Sequence, residues 1–262
     1  MKTYTATITR KKTKFSVIMP IHNEERYLYY SLPSIYKLKP DEVILIFDRC
    51  TDNSLKVARK IAKHFKYLDK TKFIELNEPS PKWKFRVAYL RRYGFKLAKN
   101  NIILNTDADT ILDPKIREYI KYICKDKIAL ISFGRKTYPI TFQDFITRIV
   151  STINPKMGFT GIYAFSKKAW IETENQEAVK KIVRAEDTHL RISISKKYRV
   201  AFIKTNSIHL RPNESKNRHY IKGYTYWTVK KNPIWKAFLH SIIYLRPQLL
   251  TGYIHARIKI KQ

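Results

Sequence analysis

Along the first half of the chain, short runs of aliphatic and β-branched residues alternate with longer stretches in which apolar positions recur every three or four residues. The runs at 15–19, 42–47, 72–76 and 101–105 are short and mostly apolar, as strands of a covered sheet are. The stretches at 24–38, 52–65 and 84–99 between them, and 114–125 after the last, read as amphipathic helices. Thr51, Asp52 and Asn53 offer capping oxygens where the second helix starts, and Pro114 suits the first turn of the fourth. Further strands are expected at 129–133, 161–165 and 198–204, with a helix at 187–197. This alternation predicts an α/β fold: a mixed, mostly parallel sheet with helices on both faces. In such sheets ligands lie at the carboxyl ends of the strands, so the polar residues there are the candidates for chemistry.

Four polar segments stand at such places. The first strand runs into Pro20-Ile21-His22-Asn23-Glu24, the second into Asp48 and on to Ser54, and the fourth into Asn105-Thr106-Asp107-Ala108-Asp109. Farther on, Arg184-Ala185-Glu186-Asp187-Thr188 opens a helix. One acid at a strand end commonly caps a helix or closes a turn, and Asp52 alone fits that description. Caps do not account for carboxylates after three strands of one sheet. In an extended segment Asp107 and Asp109 project to the same side, where like charges repel unless a cation or a proton intervenes. Oxygen donors with no clustered His or Cys select Mg2+ or Mn2+. The competing reading is a solvated turn before Pro114.

Taken together, VIMPIHNE (17–24), ILIFDRCTDNS (44–54), ILNTDADTILDP (103–114) and AEDTHL (185–190) resemble family 2 glycosyltransferases of the GT-A fold. The likeness spans roughly 15–210 and is closer before Ala129 than after it. It implies a Rossmann-like sheet, a catalytic domain over 1–231, a nucleotide-binding half at about 15–112 and an acceptor-side half at about 113–231. It also implies a nucleotide diphosphate sugar donor (UDP ahead of GDP), a Mg2+ or Mn2+ cofactor and inverting transfer to a glycan or lipid-linked hydroxyl. By position, Pro20, His22 and Glu24 would line the base and ribose pocket, and Asp48 would contact the base. Phe47 stands where a second Asp is common. Arg91 or Arg86 would face the diphosphate, the alternative being solvated helix-face residues. Asp109 would ligate the metal, Asp107 would reach the ribose or the metal, and Asp187 would be the catalytic base, with Glu186 in a supporting or capping role. His209 would lie near the metal or diphosphate, or be a packed histidine. Gly158 and Gly161 would bracket an acceptor-side loop or a turn. The chain lacks the Gln-x-x-Arg-Trp run of processive polysaccharide synthases, so transfer of a single sugar is expected.

The chemistry asks for this division of labour. A leaving diphosphate gains charge, which a divalent cation stabilises. The attacking hydroxyl is a poor nucleophile and needs a separate carboxylate to accept its proton.

Composition narrows the alternatives. With 262 residues, 44% of them hydrophobic, the chain can bury a substantial core, which argues against disorder. No run of ~18 apolar residues is present, so a spanning helix is not expected. Residues 1–14 are basic and polar, unlike a signal peptide. Cys50 and Cys124 stand far apart without metal-ligand spacing, which fits a reducing, cytoplasmic setting. The net charge of +32 favours polyanions: nucleic acid, an anionic membrane face or phosphorylated substrates. A nucleic-acid-binding protein could use the interleaved Tyr and Trp residues, yet no helix-turn-helix, RNP, KH or zinc pattern is evident and the acidic segments would go unexplained. A nucleotidyltransferase would carry a Gly-rich phosphate loop after the first strand, where Pro20-Ile21-His22-Asn23-Glu24 stands instead. From Asn232 the chain turns rich in Trp, Tyr and Leu, broken by Lys236, Arg246 and Pro247. Residues 232–262 therefore read as one or two amphipathic helices with a basic end. Two readings of that tail stay open: attachment to the inner face of the cell membrane, or packing on the catalytic domain.

Overall fold

The structure, a computed structural model, describes residues 13–79, 82–125, 127–140, 161–182, 186–211, 216–228 and 233–259, with Phe145 and Ile149. The described residues fall into two compact units. Those of Met1–Lys136 and Phe159–Ile208 make the first, and those of Thr137–Gly158 and His209–Gln262 the second.

The first unit is built on an eight-stranded sheet. Strands β1 (Phe15–Ile21), β2 (Glu42–Asp48), β3 (Thr71–Leu76) and β4 (Ile102–Asn105) are parallel, in the order β3-β2-β1-β4. Helices α1 (Glu25–Lys37), α2 (Ser54–His64) and α3 (Arg86–Leu97) connect them. The sheet continues through β7 (Tyr163–Ser166), β6 (Ile128–Thr137), β8 (Arg199–His209) and the short β5 (Thr110–Ile111). β7 runs antiparallel to both β4 and β6, so the sheet is mixed, as the sequence predicts.

Side chains alternate across a strand, and the core divides accordingly. Val17, Met19, Leu45 and Phe47 face one side with Leu28 and Leu32 of α1 and Ala58 and Ala62 of α2. Ile18, Ile44 and Ile46 face the other with Leu90 and Phe95 of α3, Trp170 and Leu190. α3 approaches this second face closely: a Cβ on Gly94 would stand 2.5 Å from the Ile18 side chain. Only a residue without Cβ fits there.

β4 pairs with β1 along Phe15–Ile18 only, whereas β1 stays beside β2 as far as Ile21. Chain order also reverses between β1 and β4, since β2 and β3 lie on the opposite side of β1. The carboxyl ends of these two strands thus form the topological switch point, where an open α/β sheet takes its ligand.

Several boundaries differ from expectation. The fourth helix, α4 (Ile116–Ile120), spans five residues instead of the whole of 114–125. Cys124 and Lys127 both take positive φ (72° and 61°), conformations that interrupt a right-handed helix. β6 and β8 outrun their apolar segments, to Thr137 and His209, because cross-strand polar bonds continue the pairing. Thr205 Oγ1 donates to the Gly134 carbonyl at 2.6 Å, and the Tyr138 amide to the His209 carbonyl at 2.8 Å. α5 (Lys167–Thr173) and α6 (Gln176–Lys180) follow β7, and α7 (Glu186–Ser195) matches the helix expected near 187.

The second unit contains α8 (Lys216–Thr228), α9 (Ile234–Ile243) and α10 (Pro247–Lys259). Ala237, Leu249 and Tyr253 form its buried cluster with Trp227 and Leu250. α8 and α10 meet main chain to main chain: a Cβ on Gly223 would lie 1.8 Å from the Leu249 carbonyl oxygen, and one on Gly252 2.0 Å from that of Tyr220. Among the described residues no helix is long and apolar enough to cross a membrane. Asn232, Gly158 and Arg184 lie outside the described residues.

Candidate active site

Beyond β1 the chain turns through Asn23, whose positive φ of 53° is one that Asn tolerates. The Asn23 side-chain oxygen accepts the Thr51 amide at 2.8 Å, and Ser54 Oγ accepts the Glu24 amide at 2.9 Å. Asp52 accepts the Ser54 and Glu25 amides, each at 3.0 Å. These bonds lace together the starts of α1 and α2. Burial works against the Asp52 carboxylate, but its hydrogen bonds hold the group below the usual range. Asp52 is thus an amide-binding acid at two helix starts, the role a single strand-end acid commonly has. His22 is exposed, with Nδ1 2.6 Å from the Asp48 carbonyl, and Pro20 and Glu24 are half-buried on either side of it.

Asp48, at the end of β2, is buried between two arginines. Arg86 reaches Oδ1 through Nε (3.0 Å) and Nη2 (2.7 Å), and Arg49 spans both oxygens at 3.1 and 3.2 Å. Burial raises the Asp48 pKa, yet the two guanidinium groups outweigh it and keep the carboxyl ionised. Arg86 therefore serves Asp48, and the solvated-face reading fails for it.

That reading fails for Arg91 as well. Its guanidinium is buried, with Nη2 2.6 Å from Asp107 Oδ1 and Nη1 on the Glu186 carboxylate. Burial opposes its charge, but the Glu186 and Asp107 carboxylates raise its pKa on balance. One side chain on α3 thus joins the turn after β4 to the start of α7. Arg92 adds to this tie. It forks onto Glu174 at 2.6 and 3.1 Å and donates to the Glu186 backbone carbonyl at 3.0 Å. Trp170 Nε1 lies 2.5 Å from Glu174 and His189 Nδ1 3.6 Å from it. Burial raises the Glu174 pKa, but this ring of donors brings it down to about 2.

Asp107 and Asp109 lie beyond the end of β4. The turn between β4 and β5 includes Ala108 and Asp109, so the same-side argument from strand periodicity does not apply to them. Their placement comes from the surroundings instead. Arg135 on β6 donates to Asp107 Oδ2 at 2.9 Å and to Thr110 Oγ1 at 3.2 Å. Gly161 clears the space: a Cβ there would stand 2.1 Å from Asp107 Oδ2. Gly161, read from the sequence as part of a loop or turn, is thus a clearance for the first acid of the pair. Asp109 is buried.

Asp187 is half-buried in the first turn of α7, its Oδ1 accepting the Thr188 amide at 2.7 Å. Burial and then the Glu186 charge raise its pKa, against the pull of Arg91. A carboxylate whose proton affinity is raised in this way suits a general base. Nearby, Asn105 Oδ1, the Tyr163 hydroxyl and Arg91 Nε are buried with no hydrogen-bond partner among the described residues. Asn105 and Tyr163 are register partners across β4 and β7. Orphaned polar atoms gathered at a switch point are what a bound polar ligand would satisfy.

His209 is buried in the second unit, with Nδ1 2.7 Å from the Arg211 carbonyl. A carbonyl only accepts, so Nδ1 donates this bond. Among the described residues no group of three or more His, Cys, Asp or Glu is arranged to hold a metal ion. Asp107 and Asp109 still fit Mg2+ or Mn2+, because such ions are commonly held by one or two carboxylates and complete their shell with water and substrate phosphates.

Arg135 and the Arg92–Glu174 pair are site features that the sequence does not reveal. Arg135 lies beyond the apolar run of its strand, and Glu174 reads as an ordinary helix-end acid.

The mixed eight-stranded sheet, with its parallel half in the order β3-β2-β1-β4, is a fold of the GT-A class. More particularly, the chain belongs to glycosyl transferase family 2, whose model matches residues 16–175. Over 125 residues it is 32% identical to the uncharacterised glycosyltransferase MG060 of Mycoplasma genitalium, a match covering 46% of this chain and 40% of that protein. The fold is shared with the mannosyltransferase PcManGT of Pyrobaculum calidifontis, solved with GDP-Man and Mn2+ (TM-score 0.64, 17% identity, 95% of this chain and 76% of that one). It is shared also with glucosyl-3-phosphoglycerate synthase of Mycobacterium tuberculosis, solved with Mn2+, UDP and phosphoglyceric acid (TM-score 0.55, 16% identity, 84% and 80%). TarS 1-349 of S. aureus is a third structure of this fold (TM-score 0.53, 18% identity, 82% of this chain and 66% of that one).

Proposed function

We propose that the protein transfers one sugar from a nucleoside diphosphate sugar to an acceptor hydroxyl, by single displacement with inversion at the anomeric carbon. The supporting observation is the Arg91 bridge, which joins Asp107 at the switch point to Glu186, the neighbour of Asp187. It brings a phosphate-side charge cluster and a carboxylate of raised pKa to the same corner of the sheet. Pro20, His22, Glu24 and Asp48 receive the base and ribose. Asp109 and Asp107 would hold Mg2+ or Mn2+. Bound there, the ion would act as a Lewis acid toward the diphosphate.

Asp187 accepts the proton as the acceptor oxygen bonds to the anomeric carbon. The bond from that carbon to the diphosphate oxygen breaks, and the nucleoside diphosphate departs with the electron pair. Arg91 and Arg135 add fixed positive charge beside Asp107, facing the charge that develops on the leaving group. A UDP sugar is the first donor to test and a GDP sugar the second. The acceptor is a hydroxyl of a glycan or of a lipid-linked sugar.

The experiment is a screen of nucleotide sugars for hydrolysis or transfer, with Mn2+ and with excess EDTA. Release of a nucleoside diphosphate that EDTA suppresses is the expected result. Release of pyrophosphate from a nucleoside triphosphate would assign nucleotidyl transfer instead, and undiminished turnover in EDTA would remove the metal.

A further inference from the structure

We propose that α9 is a docking helix that lays its outward face in the headgroup region of an anionic lipid bilayer. This goes beyond the transfer reaction and does not depend on it.

Helices on a water-soluble surface turn their bulky apolar side chains inward. α9 does the reverse. Its buried side carries the small residues Ala237 (0% exposed) and Ser241 (7%). The outward positions are Ile234, Trp235, Phe238, Leu239, Ile242 and Ile243, of which Trp235, Phe238 and Ile242 are each more than half exposed (58%, 52% and 54%). At 100° per residue these six cover one continuous half of the helix. Neither chance nor core packing accounts for an unbroken half-turn of large apolar side chains facing water.

Charge selects the occupant. Over 209–262 the sequence carries eleven Lys and Arg residues and a single acid, Glu214. Lys236 Nζ lies 5.5 Å from the Trp235 ring centre, at the edge of the apolar face, and the Arg246 guanidinium lies 5.3 Å from that of Tyr244. An apolar face with a cation–aromatic pair at its edge, on a segment this basic, matches the boundary between acyl chains and anionic headgroups. A second copy of the chain would bring another +32 to the same interface, which opposes self-association there. At ten residues the helix is half the length of a membrane span (~20 residues), so it lies along the surface.

The test is sedimentation of the full chain with vesicles at physiological ionic strength, using phosphatidylcholine alone or with about 30 mol % phosphatidylglycerol. Wild type binds the anionic vesicles. The triple variant Trp235→Ser, Phe238→Ser, Ile242→Ser binds at least ~tenfold more weakly at unchanged charge, with the same Tm and circular dichroism. Ile171→Ser, which removes an equally exposed apolar residue from α5 in the first unit, binds like wild type. Three results would overturn the proposal: no binding by wild type, equal binding by the triple variant, or a lipid-free wild-type dimer that the triple variant dissolves. The last would give the face to a second copy. No donor or acceptor is present, so failure of the sugar-transfer reading leaves this result standing.

Discussion

Asp187 must be ionised to take a proton, and its pKa stands above the ordinary carboxylate value because of burial and the neighbouring Glu186 charge. Activity should therefore fall with decreasing pH along a limb displaced upward from that of an exposed Asp. Asp187→Asn keeps the shape but cannot accept the proton, so kcat should drop by ~10²–10⁴ with donor affinity little changed. Glu186→Gln removes the like charge, so the acid limb of the kcat–pH profile should move to lower pH. An unmoved limb would separate Asp187 from the titration. Gly161→Ala would press a methyl group against an Asp107 carboxylate already clamped by Arg91 and Arg135. We expect kcat/KM to fall at least ~tenfold with Tm nearly constant, checked by steady-state kinetics beside a thermal melt. The strand-end acids were legible in the sequence because each stands within a few residues of the end of an apolar run. Arg135 and the role of Gly161 were not, since both depend on register across β4, β7 and β6, which no local pattern encodes.

Among elements, α3 does more than cover the sheet. Consecutive residues on it serve different partners: Arg91 reaches Asp107 in the site, and Arg92 reaches the Glu174 ring that holds α5, α6 and α7 together. Removing one partner of a buried ion pair leaves the other uncompensated, so Glu174→Gln should cost about 3–5 kcal/mol, measured by denaturant unfolding. The sign with pH follows. Glu174 has a folded-state pKa of about 2 against 4.5 when unperturbed, so its contribution is complete above about pH 4.5 and is lost as pH falls toward 2. The helical and strand periodicities of the first half were readable because burial there follows from sequence neighbours. The extension of β6 and β8 was not, because polar cross-strand bonds sustain strands that hydrophobicity alone would end at Phe133 and Lys204.

For the whole molecule, 53 basic against 21 acidic residues leave a net repulsion at every separation short of the screening length. Adding salt weakens that repulsion more than it weakens the buried Arg92–Glu174 and Arg91–Glu186 pairs, which water and ions scarcely reach. Tm should therefore rise as NaCl goes from low to near-physiological concentration, followed by scanning calorimetry; a falling Tm would mean that exposed ion pairs dominate. The charge surplus was plain from composition, whereas the inverted burial of α9 required the fold. A related property belongs to the α8–α10 crossing. Gly223 and Gly252 let each helix rest on a carbonyl of the other, so dispersion and short-range dipolar attraction between main chains add to the apolar packing of Trp227, Leu249 and Tyr253. The main-chain part of this joint draws little on the cohesion of water and keeps its strength where the dielectric constant falls. Part of what holds this helix pair together is thus insensitive to the solvent around it.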